Sequence, residues 1–91
     1  MAEKTVKYNE QGVAKLPDNK PVVYRILTAS GNQNYVGVAQ RGRVQERVCE
    51  HLGEIPGAKV HIEQFSSIAE AKSEEANVIS RTKPRYNELG K

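Results

Sequence analysis

The stretch Tyr24 to His51, YRILTASGNQNYVGVAQRGRVQERVCEH, constrains the fold of this chain more than any other. Val22 and Val23 lead into it, and the run Val22–Leu27 has the β-branched and aromatic composition of a strand. The polar segment Thr28–Asn34 follows, with Ser30-Gly31-Asn32 offering the residues a hairpin turn needs at positive φ. A second short strand, Tyr35–Ala39, feeds a basic helix carrying Arg43, Arg47 and His51. A hairpin that runs into a helix is the centre of a small α+β fold, and the remaining residues must cover it.

The same stretch carries candidate chemistry. Opposed residues of a hairpin share one face of the sheet. With an even number of loop residues, Tyr24 and Tyr35 fall on the same face, side by side near the end of the ribbon. A single strand tyrosine is ordinarily a core or cross-strand aromatic. Gly37 beside Tyr35 favours a site, because glycine inside a strand marks close approach by a ligand or by backbone. The helix is predicted over Arg41–Leu52, with Gly53 as its C′ residue and no obvious side-chain cap at its start. At about 100° per residue, Val44, Val48 and Leu52 form an apolar stripe bordered by Arg43, Arg47 and His51. One such arginine is usually a solvated charge. A row of them at i, i+4 is mutually repulsive and, next to two tyrosines, points to a shared anionic partner. Cys49 lies about 160° from Arg47 around the helix and reads as packing or surface.

Beyond the loop Glu54–Gly57, residues Ala58–Phe65 alternate as a strand, with Val60 and Ile62 inward and His61 and Glu63 outward. Ser67-Ile68-Ala69-Glu70 is a capping-box pattern that opens a second helix. Its apolar face gathers Ile68, Ala71, Ala76, Val78 and Ile79. Glu75 falls near the centre of that face, about 40° from Ile79. A carboxylate there is unfavourable unless paired or bound to a cation. Lys72 or an arginine of the first helix could pair with it, but a hard-metal ligand aimed into a cleft is the favoured reading.

Together these residues resemble a known family. Val22-Val23-Tyr24, Tyr35-Val36-Gly37 and Arg47 with His51 four residues on are similar to the GIY-YIG endonuclease domain. That domain is the catalytic module of a bacterial nucleotide-excision-repair nuclease, of homing endonucleases and of some restriction enzymes. The later residues Glu75 and Lys83-Pro84-Arg85-Tyr86-Asn87 match its pattern in identity and order, so the resemblance spans about Pro21 to Asn87. Val22 replaces the signature's first glycine, and Val23 and Val36 replace isoleucines. The resemblance implies a three-stranded, mainly antiparallel sheet flanked by helices in the order β-β-α-β-α. It also implies metal-dependent hydrolysis of DNA phosphodiesters, in repair, recombination or mobile-element processing.

The resemblance also implies roles. Glu75 would hold one Mg²⁺ or Mn²⁺ ion. Tyr24 or Tyr35, helped by Arg47 or His51, would activate or orient water. Arg47 would bind the developing phosphoryl charge, with Arg43 as its competitor, and Asn87 would order the site. Arg41, Arg43, Lys83 and Arg85 are expected to touch phosphates, and DNA is the implied partner. A nucleic-acid- or protein-binding module that keeps the fold without cleaving is the alternative.

Length and composition bound these readings. Ninety-one residues make one small domain with a modest core. Residues 1–20 are expected to be a weakly structured or edge-packed arm, and 21–91 a single domain. A recognition domain is not expected within these residues, and a separate protein supplying target specificity is a candidate partner. A net charge of +3 suits a polyanion. One cysteine rules out an internal disulfide or a cysteine zinc site. No run is long and apolar enough for a membrane span or a signal-peptide core. A membrane partner and a small-molecule cofactor are not expected, and the expected compartment is the cytoplasm, or the nucleus in a eukaryote.

Overall fold

The computed structural model describes residues 3–82. The hairpin forms as its composition dictates, from β2 (Val22–Leu27) and β3 (Gln33–Ala39). Gly31 supplies the positive φ of its turn, and Asn32 Oaccepts the Thr28 amide at 2.8 Å. β4 (Lys59–Gln64) pairs antiparallel with the other side of β2. β2 therefore runs through the centre, and Val22, Val23, Tyr24 and Ile26 are fully buried.

A fourth strand corrects the expected three. β1 (Glu3–Lys7) pairs antiparallel with β4 at the outer edge, giving the order β1-β4-β2-β3. Its pattern is faint because an edge strand buries little, and only Val6 of the five residues is even half-buried. A single helical turn, α1 (Glu10–Val13), follows. Asn9 caps it by accepting the Gly12 amide at 2.7 Å, and Val13 and Leu16 are driven into the core.

α2 (Val44–His51) starts later than its sequence pattern predicts. Gly42 has φ of +83° and places Arg41 in a turn before the helix. The missing cap comes from far along the chain. Asp18 Oδ1 accepts the Val44 amide at 2.6 Å, and the Asp18 carbonyl accepts the Gly42 amide at 2.8 Å. Gly53, at φ +86°, closes the helix in the left-handed conformation expected after a C-terminus.

α3 spans Ile68–Thr82. Ser67 Oγ accepts the Glu70 amide, while the Glu70 carboxylate reaches back to Ser66. Ala71 and Val78 are buried and Ile68 and Ile79 half-buried, but Ala76 is exposed. A methyl group loses little in water, so alanine is a weak marker of the buried side.

The sheet separates two apolar clusters. Val22, Tyr24, Ile26 and Ile62 pack with α1 and with Val44 and Val48 of α2. Val23 and Val36 pack with Phe65, Ala71 and Val78 on the α3 side. His61 lies on that second side, where it bonds Thr5 Oγ1 at 2.7 Å and Glu3 at 3.0 Å and ties β1 to β4. No helix among the described residues is long and apolar enough to cross a membrane.

Candidate active site

Tyr24 is set by strand register. It stands directly opposite Gly37, and Tyr35 stands opposite Ile26. Tyr24 and Tyr35 thus share a face as diagonal neighbours, with ring centroids 6.0 Å apart. Tyr24 is wholly buried in mid-sheet and not at the ribbon's end. Gly37 makes its position possible: a Cβ there would stand 2.5 Å from Cζ and the hydroxyl of Tyr24. The glycine is a space for a phenol, and nothing in its backbone φ requires it.

His51 closes the group from the last turn of α2. Its Nε2 lies 2.8 Å from the Tyr24 hydroxyl, and its ring centroid is 4.7 Å from that of Tyr35. Its own carbonyl accepts from Tyr8 Oη at 2.7 Å. Burial holds the Tyr24 phenol well above its ordinary range; Tyr35 beside it adds to the effect and Arg47 opposes it. Burial also lowers His51 below 6.5, as does the Arg47 charge, while Glu54 and Glu50 work against them. A protonated phenol facing a neutral imidazole donates to it, so Nδ1 carries the ring proton.

β3 is an edge strand, with α2 on one face of the sheet and α3 on the other. Side chains of both helices meet over that edge around a cavity of about 470 Å³. Tyr35, Gly37, Val38 and Gln40 form its floor and end. Arg43 and Arg47 come from the α2 side, and Ile68, Lys72 and Glu75 from α3. Both arginines have surface partners, Glu46 for Arg43 and Glu50 at 3.4 Å for Arg47. Exposed i,i+3 pairs of this kind are worth little and yield readily to a phosphate. Glu74 belongs elsewhere, 3.9 Å from Arg25 and 3.8 Å from Arg81.

The structure therefore brings Tyr35, Arg43, Arg47 and Glu75 to one cavity and sets Tyr24 and His51 behind it. Arg41 lines a separate concavity with Lys20. Lys83, Arg85 and Asn87 lie outside the described residues. Lys72 is an additional cation of the cavity; its place one turn before Glu75 puts both on the same side of α3. Asp18 and Tyr8, which hold the two ends of α2, carried no sequence signal because their partners lie 26 and 43 residues away.

No family model and no curated protein matches the chain. Among solved structures it is similar to the GIY-YIG N-terminal endonuclease domain of UvrC from Thermotoga maritima, bound to its catalytic divalent cation, magnesium. The likeness covers 85% of this chain and 93% of that one, with a TM-score of 0.66 and 23% sequence identity. The chain has the GIY-YIG fold.

On a GIY-YIG fold the donor set can be tested against a divalent cation. Among the described residues no group of three or more His, Cys, Asp or Glu side chains could hold a metal. Among the described residues Glu75 is the one carboxylate lining the cavity. One carboxylate in an open, polar cavity fits Mg²⁺, which keeps most of its waters and shares phosphate oxygens with the substrate. It does not fit a dehydrated tetrahedral site such as zinc's.

Proposed function

We propose that this protein is a metal-dependent DNA endonuclease. The observation that carries the reading is the convergence over the β3 edge of one carboxylate, Glu75, with Arg43, Arg47 and Lys72 around the Tyr35 phenol. Cations on both walls suit a phosphodiester, and the carboxylate suits the ion that accompanies it. A divalent cation at Glu75 would supply Lewis-acid charge to the phosphoryl and leaving oxygens.

The side chains have separable tasks. Arg47 and Arg43 bind the nonbridging oxygens and stabilise the charge that grows on them as water adds to phosphorus. Tyr35 faces the cavity and orients the attacking water. Tyr24 does not line the cavity; it and the half-buried His51 form a hydrogen-bonded pair behind Tyr35 that fixes the ring. A new O–P bond forms from water and the bond to the leaving sugar oxygen breaks; the water's proton passes to solvent through the Tyr35 hydroxyl, and the leaving oxygen takes a proton from solvent to depart as a hydroxyl. Gly37 leaves room for the Tyr24 ring behind Tyr35.

Nicking of supercoiled plasmid and cleavage of branched or flapped DNA with Mg²⁺, Mn²⁺ or EDTA test the reading. Cleavage is expected with either ion and not with EDTA, and Glu75→Ala and Arg47→Ala should each reduce it at least about 100-fold. Cleavage that survives Glu75→Ala would sink the assignment of that carboxylate. A folded protein that binds DNA in a salt-dependent way and cuts no substrate would establish the binding-module alternative.

A further inference from the structure

We propose that Lys20 and Arg41, with Asn19 and Ser66, form a second phosphate-binding site, which takes the DNA backbone one or two nucleotides from the bond held in the Tyr35–Glu75 cavity. The nature of the polyanion rests on the nuclease reading. The site is a concavity of about 380 Å³ lined by Asn19, Lys20, Pro21, Arg41 and Ser66. Lys20 and Arg41 are exposed, and among the described residues neither has a carboxylate partner, unlike Arg43 and Arg47.

The two nearby acids are already engaged. The Asp18 carboxylate accepts the Val44 amide at the start of α2. The Glu70 carboxylate accepts the amide and hydroxyl of Ser66 in the first turn of α3. Each is offset by the positive end of a helix, which leaves the charges of Lys20 and Arg41 for an outside anion.

The backbone under those two cations is held firmly. Gly42 donates to the Asp18 carbonyl at 2.8 Å, Phe65 to the Pro21 carbonyl at 2.9 Å, and Arg43 to the Gln40 carbonyl at 2.9 Å. The buried Gln64 donates to Asn19 Oδ1 at 2.9 Å. Three segments distant in sequence are laced together, so the ordering that phosphate binding requires is largely done in advance. The turn also joins the two sites. Gln40 and Arg43 line the first cavity, and Arg41 between them lines the second. Two residues of chain reach at most about 7 Å, and phosphates of one strand rise about 3.4 Å each along the duplex, so neighbouring phosphates of one strand can fill both.

The test is binding of a fluorescent DNA duplex in EDTA across a salt series. Arg41→Gln and Lys20→Gln should each flatten the plot of log K against log salt by about 0.9. Lys7→Gln, which removes the same charge from β1 at the far edge of the sheet, should leave the slope at the wild-type value. Equal slopes for all four proteins, an equal loss in Lys7→Gln, or no DNA binding by the wild type would overturn the site. Flattened slopes in Arg41→Gln and Lys20→Gln, alongside a wild type that cleaves nothing with Mg²⁺, would uphold the site and remove the nuclease reading instead.

Discussion

Tyr24 and His51 are each held in the form that burial prefers, and each can be moved by one atom or one proton. Tyr24→Phe keeps the ring and deletes the hydroxyl 2.8 Å from His51 Nε2. It should cost about 1 kcal/mol of stability and, through a loosened Tyr35, at least about 10-fold in cleavage; a variant as active as the wild type would remove the pair from the mechanism. The proton works on the other partner. His51 in the folded chain titrates below the 6.5 of an unfolded one, so the unfolded state binds a proton that the folded state refuses. The stability this provides is complete above pH 6.5 and is lost as pH falls through the lowered value. Denaturant midpoints at pH 7.5 and 5.5 should differ more for the wild type than for His51→Gln, and equal differences would show that another group carries the dependence. The tyrosines, the arginine row and Glu75 were legible in the sequence because strand and helix periods alone place them. That Tyr24 would be buried and Tyr35 would face the cavity was not legible, because it depends on which strand neighbours lie beyond each.

Among the elements, α2 matters most to the site, and both of its ends are held from elsewhere in the chain. Asp18 satisfies its first amide, so Asp18→Ala removes an N-cap from another part of the chain. The loss should be about 1 kcal/mol, read as a fall in Tm of about 4–8 °C for a domain of this size. It should also weaken cleavage, since Arg43 adjoins the released amide; a Tm within a degree of the wild type would show that water replaces the carboxylate without penalty. Such a cap is invisible to a reading that seeks Ser, Thr, Asp or Asn immediately before the helix, which is why α2 was predicted to start at Arg41. The strands of the hairpin and β4 were legible for the opposite reason, since alternation and turn residues are local. β1 and α1 were not, because one buries almost nothing along its length and the other is a single turn.

For the whole molecule, residues 3–16 contribute to the sheet and to the core. Leu16, 1% exposed, packs with Tyr24 and Val48 in the cluster under α2. Leu16→Ala should therefore cost about 2–5 kcal/mol, comparable to a truncation at Ile62 in the centre of the sheet. An effect below about 0.5 kcal/mol would be that of a loose surface arm. Urea midpoints at constant m-value decide between them.

The place of β1 also has a consequence for how the protein is made. Its partners are Lys59 to Glu63, and synthesis proceeds from the N-terminus. β1 leaves the ribosome well ahead of β4, and more than fifty residues must follow it before its partner exists. Loop closure over that distance is slow, and an unsatisfied strand is a hazard in a crowded cell. The sequence EKTVK, with three charges in five residues, keeps the waiting strand wet and unattractive to its neighbours until β4 arrives.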